Sequence, residues 1–152
     1  MQVVNLFGDE WDSRRDRPGW LWNRADVGKR AGAELFGISL YEVEPGQKIF
    51  PYHWQHAEEE MLIVLEGEPT LRTPEGEQRL TRGDTAVFRR GPEGGHQVRN
   101  DTEVAVRLLM LSTPSQVEIA EYPDSEKIGV FGKGLRLMVR RDADLDYFDG
   151  EE

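Results

Sequence analysis

The chain has 152 residues, a formal charge of -10 and no cysteine. With 38% hydrophobic and 32% charged residues, it has a globular composition and enough length to bury a core without staples. Lack of thiols excludes disulfides, cysteine nucleophiles and Cys-ligated metal sites, the acidic balance argues against nucleic acid as a partner, and no apolar run approaches a membrane span.

The first residues, Met1 to Asn5, show no basic stretch followed by an apolar one. No secretory signal is expected, and the expected location is the cytoplasm. Residues 10–28 are the nearest thing to a helix, but Pro18-Gly19 breaks them. They read as an irregular N-terminal arm, residues 1–34, whose Trp11, Trp20 and Trp22 cover apolar surface. From residue 35 to 120 the chain reads as short strands between turn signals, the pattern of an all-β sandwich or barrel. Candidate strands are residues 36–44, 48–54, 60–66, 70–73, 78–80, 85–88, 96–100 and 104–111. Pro74-Glu75-Gly76 is a turn by chemistry, since proline presets φ and glycine accepts positive φ. Gly83-Asp84 is another, with Asp84 structural. Gly129 to Gly134 has neither phosphate-loop nor dinucleotide spacing and reads as a turn. The C-terminal arm, residues 121–152, ends in six acids (Asp142, Asp144, Asp146, Asp149, Glu151, Glu152) interrupted by Tyr147 and Phe148. A single domain with two arms is the simplest account.

Only three histidines are present: His53, His56 and His96. Residues i and i+2 of a strand share a face. His53 therefore sides with Gln55, Glu60 with Leu62 and Val64, and His96 with Val98 and Asn100. If these faces all point inward, His53, Gln55, Glu60 and His96 meet inside the barrel. Two imidazoles and a carboxylate suit a divalent transition metal.

Two spaced motifs carry a resemblance. The first reads Gly46-x6-His53-x-Gln55-x4-Glu60-x6-Gly67, the second Gly83-x5-Arg89-x-Gly91-x4-His96-x3-Asn100. Together they resemble the cupins, small double-stranded β-helix or jelly-roll barrels. Further on, Pro69-Thr70-Leu71-Arg72-x-Pro74-x-Gly76, Tyr122-Pro123-Asp124-Ser125 and Asp146-Tyr147-Phe148-Asp149-Gly150-Glu151 resemble a group of small single-domain bacterial cupins. The resemblance implies metal ligation by His53, Glu60 and His96. Gln55 stands where most metal-binding cupins place a second histidine, and Arg89 where a proline is usual. Gln55 either ligates through its amide oxygen, a neutral and weaker donor, or holds a water or ligand. A set of two imidazoles and one carboxylate leaves positions open, and the metal is Fe, Mn, Zn or Ni.

Of the other polar residues, His56 reads as a loop residue outside the site, with a bulge that turns it inward as the competing reading. Glu58 and Glu59 read as solvated, Tyr52 and Trp54 as packing groups, and Asn100 as a turn residue bonded to its own backbone. Arg89 reads either as solvated or as a clamp for an anionic substrate; Arg72 invites the same thought with less reason. Two functions stay open. One is a metal-dependent enzyme on a small organic molecule, by Lewis-acid isomerisation, epimerisation or decarboxylation or by oxygen activation. The other is a non-catalytic binding or sensing module. Exposed sheet edges need covering, so a homodimer is expected.

Overall fold

Alternation of apolar and polar side chains decides most of the strands. The computed structural model describes residues 2–143 and 145–151; Met1, Asp144 and Glu152 lie outside the described residues. In chain order the strands are β1 (Ser13–Arg15), β2 (Trp22–Asp26), β3 (Gly37–Val43), β4 (Trp54–Gln55), β5 (Glu60–Glu66), β6 (Thr70–Thr73) and β7 (Gly76–Arg79). They continue with β8 (Thr85–Phe88), β9 (Gln97–Arg99), β10 (Val106–Ser112), β11 (Val117–Tyr122), β12 (Lys127–Gly132) and β13 (Leu135–Arg140). One short helix, α1 (Val27–Ala31), follows β2, capped by the Asp26 side chain. Among the described residues no helix is long and apolar enough to cross a membrane.

The strands form three antiparallel sheets, in the orders β1-β2-β3-β10-β5-β8, β13-β12-β11-β4 and β7-β6-β9. This is the all-β jelly-roll architecture. Its core lies between the sheets, where Val43, Leu62, Val64, Val98, Val106 and Leu108 are essentially solvent-free. The opposite faces of β3, β5 and β10 carry Leu40, Ile63, Leu65 and Leu109 against Leu6, Trp11 and Val27 of the N-terminal arm. Strand β10 is thus apolar on both faces because both are covered. Its one charge there, Arg107, pairs with Glu42 at 2.6 Å beneath the Trp11 ring.

The arms do more than cover the barrel. The N-terminal one adds β1 and β2 to the large sheet, and Trp22 packs into the main core, edge-on to Tyr41 at 5.3 Å. The C-terminal one supplies β12 and β13. The turn expected at Gly129 to Gly134 is therefore corrected: residues 127–132 are a strand, with only the Lys133-Gly134 link turning. A Cβ at Gly129 would press on the Phe131 ring at 2.7 Å. Glycine there lets the aromatic ring lie across the strand.

The expected strand over residues 48–54 is also corrected. Lys48 faces Arg99 and His53 faces His96, so five steps on one chain answer three on the other. The excess bulges out at Phe50, Pro51 and Tyr52, where Pro51 has no N–H to give the ladder. Past His53 the chain changes partner, and Gln55 pairs with Ala120 of β11.

Asn100 closes this region. Fully buried, it donates from Nδ2 to the carbonyls of Val43 (3.0 Å) and Val104 (2.7 Å) and accepts from the Thr102 amide and hydroxyl. Replacing Asn100→Ala strands these buried partners and is expected to cost roughly 3 kcal/mol, read as a lower urea midpoint with unchanged slope.

Candidate metal centre

The two motifs meet through backbone hydrogen bonds. The His53 amide donates to the His96 carbonyl (3.1 Å), and the His96 amide donates to the His53 carbonyl (2.9 Å). Residues opposed in this way point their side chains to one face, and the two ring centroids lie 4.7 Å apart. Glu60, the first residue of β5, shares the inward row with Leu62 and Val64. Its Oε2 lies 3.3 Å from His96 Nε2 and 4.0 Å from His53 Nε2. The three ligand atoms fall within 4.8 Å of one another.

Hydrogen bonding behind the rings sets their tautomers. Nδ1 of His53 lies 2.9 Å from the Pro51 carbonyl, and Nδ1 of His96 lies 2.9 Å from the Gly94 carbonyl. A carbonyl only accepts, so each Nδ1 bears the hydrogen and each Nε2 turns a lone pair toward the centre. His96 Nε2, Glu60 Oε2 and Gln55 Oε1 are buried without any hydrogen-bond partner. Two acceptors as close as His96 Nε2 and Glu60 Oε2, 3.3 Å apart, are costly without a donor unless a cation satisfies them. The donor set therefore fits a divalent metal. Burial, reinforced by His96, pulls the His53 pKa down to about 4, against the opposing pull of Glu60 and the Pro51 carbonyl; His53 is neutral at neutral pH.

Aromatic rings wall the centre. Phe88 stacks face to face on His96 at 3.7 Å and 5°, Tyr122 stacks on His53 at 5.6 Å and 17°, and Phe50 meets both imidazoles edge-on at 4.9 and 5.2 Å. The loop before His96 is equally constrained. A Cβ on Gly94 would overlap the Arg89 carbonyl, so glycine is what lets the 3-10 turn Pro92–Gly94 present its last carbonyl to His96.

The other candidates are held by different contacts. Gln55 follows two residues after His53, half-buried, with its backbone carbonyl taken by the Gly91 amide at 2.7 Å. His56 turns away from the centre to Glu121, 2.9 Å from its Nε2, against the Trp54 ring. Arg89 is exposed and lines an outer depression with Pro74, Glu75, Val87 and Glu93, apart from the gathered ligands. Arg72 forks Asp124 at 2.6 and 2.9 Å above the Tyr52 ring. Glu58, expected to be solvated, is half-buried and accepts from the Ser115 amide at 2.9 Å; burial raises its pKa.

Sequence reasoning missed Phe50, Phe88 and Tyr122, which look like ordinary strand residues. It also missed Glu118. That carboxylate is buried and accepts from the amides of His56 (2.8 Å), Ala57 (3.1 Å) and Glu58 (2.7 Å). It anchors the loop between Gln55 and Glu60. No local pattern marks it, because its partners lie about 60 residues away.

Comparison with known proteins agrees with this geometry. Residues 39–112 match the family model described as Cupin domain. A sugar phosphate isomerase from a cupin superfamily, from Silicibacter pomeroyi, is 27% identical with a TM-score of 0.82, over 97% of this chain and 98% of that one. A structure from Acidithiobacillus ferrooxidans, named provisionally as a sugar phosphate isomerase, is 26% identical with a TM-score of 0.78, over 85% and 82%. The polyketide cyclase RemF from Streptomyces resistomycificus shares the fold at 22% identity and a TM-score of 0.61, over 74% and 78%. No curated protein matches the sequence.

The lowered His53 pKa has a stability consequence. The unfolded chain takes up a proton on this ring near pH 6.5, while the folded chain resists until about 4. Stability of the chelator-treated protein is therefore full above pH 6.5 and falls toward pH 4, by on the order of 3 kcal/mol. Urea unfolding across this window should show a steeper loss for the wild type than for His53→Gln.

Proposed function

We propose that this chain, a small bacterial cupin with its cupin domain at residues 39–112, binds a divalent transition metal through His53, Glu60 and His96 and acts on a small anionic organic molecule. The observation that carries the reading is the buried convergence of acceptors, with Glu60 Oε2 and His96 Nε2 lacking any donor. The likeness to chains named as sugar phosphate isomerases, over most of their length, supports isomerisation ahead of decarboxylation or oxygen chemistry.

In this reading the protein supplies position and dryness. A bound divalent ion supplies Lewis-acid polarisation of a substrate oxygen. His53 and His96 offer Nε2, their orientation fixed by the Pro51 and Gly94 carbonyls. Phe50, Phe88 and Tyr122 keep water from the imidazole faces. Burial and the Glu60 charge raise the Tyr122 pKa, so its phenol keeps its proton at neutral pH and is available as a hydrogen-bond donor. Gln55 adds an uncharged oxygen, a weaker donor than imidazole, and its presence favours the second reading, a binding module without turnover.

Elemental analysis of protein purified without chelators tests the assignment. Wild type is expected to retain a divalent metal, and His53→Ala and His96→Ala to lose about tenfold or more in metal affinity. Equal metal content in all three overturns it. Incubating the metal-loaded protein with aldose and ketose phosphates separates the readings: interconversion seen by NMR supports an isomerase, whereas metal-independent thermal stabilisation without turnover supports the binding module.

The homodimer belongs to the same proposal. Cross-strand rows on one face of the C-terminal sheet are mostly apolar: Val117 and Leu135 flank Gly132, Ile119-Val130-Leu137 lie abreast, and Ile128 and Val139 lie beside Glu121, whose carboxylate is taken by His56 and Arg141. Val117, Leu135 and Leu137 are about half exposed, and β13 is a sheet edge. A contiguous apolar face beside an open edge is what a second copy of the chain would cover. Light scattering should give twice the 17.4 kDa chain mass, reduced to one chain by Leu137→Lys; a concentration-independent monomer for the wild type overturns the dimer.

A further inference from the structure

The chain is acidic, yet its cations are not spread evenly. A cleft of about 720 Å³ opens between the β1–β2 hairpin and residues 49–51. Five cationic side chains line it (Arg14, Arg15, Arg17, Arg24 and Lys127), and no Asp or Glu does. The volume is that of a small-molecule site. Four of these cations, Arg14, Arg15, Arg17 and Lys127, form no ion pair among the described residues. This matters because Arg72, Arg99 and Arg107 are each neutralised by a carboxylate at 2.6 Å. Arg24 is fixed instead by the Ser39 hydroxyl, at 3.0 and 2.8 Å, with Asp26 4.0 Å away.

Aromatic surface organises these charges. The Arg15 guanidinium lies 5.5 Å over Trp22, and Lys127 lies 5.6 Å from the Tyr122 ring that stacks on His53. Trp22 is locked in turn, donating from Nε1 to the Ile49 carbonyl at 2.9 Å. The inner wall of the cleft is also the outer wall of the metal centre. Phe50 lines the cleft and packs edge-on against both imidazoles; Pro51 lines it and accepts from His53 Nδ1.

We infer that this cleft binds the phosphate group of a small phosphorylated molecule. Guanidinium groups fork phosphate oxygens, and stacking on a ring preorients the fork. The cleft takes over the anion-binding role that the sequence offered to Arg89. Binding of the phosphate does not depend on the metal reading above, because none of His53, Glu60 and His96 lines the cleft.

Calorimetric titration of the full chain with fructose 6-phosphate, fructose and inorganic phosphate, at low and high salt, tests the cleft. Metal content is measured on the same samples. The wild type should bind fructose 6-phosphate at least about tenfold more tightly than fructose, with affinity falling as salt rises. Inorganic phosphate should bind more weakly than the ester, which separates a phosphorylated substrate from the free ion. The Arg15→Ala/Arg17→Ala double variant should lose about tenfold or more, the Arg15→Lys/Arg17→Lys variant should recover part of the loss, and both should keep the wild-type metal content. Equal affinity in the wild type and the alanine double variant overturns the inference, as does equal affinity for fructose and its phosphate. Arginine-dependent binding in a protein that holds no metal would overturn the metal assignment and leave the cleft standing.

Discussion

The reciprocal backbone hydrogen bonds between His53 and His96 hold this structure's chemistry in place. They bring together two histidines more than 40 residues apart in the chain and turn both imidazoles to one side. The bulge at residues 50–52 absorbs the mismatch in strand length just before His53. Neighbouring links, from the Ile49 amide to the Val98 carbonyl and from the Gly46 amide to the Asn100 carbonyl, extend the same zipper. Glu60 needs only the ordinary alternation of β5 to arrive beside the imidazoles. The geometry of the candidate centre is thus a by-product of strand pairing, which is why so few residues specify it.

Legibility in the sequence followed local physics. Strands β5, β6 and β8 were readable to the residue, because short alternating runs end in glycine or proline turns. Period-2 geometry sorts His53, Glu60 and His96 onto faces only within their own strands, and the resemblance to the cupins supplies the inward direction; their gathering at one point is a tertiary fact. The strand over residues 48–54 was misjudged because the bulge arises from how two distant segments meet. Residues 129–134 were read as a turn because glycine usually punctuates, whereas Gly129 serves the packing of Phe131. The N-terminal arginines drew no attention, since the cleft they line exists only once β2 has joined the large sheet. Glu118 was invisible for the same reason.

Charge is deployed in two opposite ways. At the centre, acceptors converge without donors in an aromatic, water-poor shell, a surrounding that favours a cation. On the far side of Phe50 and Pro51, cations line a cleft without carboxylates, a surrounding that favours an anion. An acidic exterior sharpens the second: an anion approaching the molecule finds one attractive mouth on a mostly repulsive surface.

The Glu118 anchor has a consequence for how the molecule is made. His53, Glu60 and His96 all precede the strand that carries this carboxylate, so a nascent chain leaving the ribosome holds every prospective ligand before it holds the clamp for residues 56–58. Synthesis proceeds from the N-terminus at a finite pace, and the ordering of that loop must wait for β11 to emerge and dock. The stretch that leads from Gln55 to Glu60 therefore gains its anchor only after most of the chain has been made.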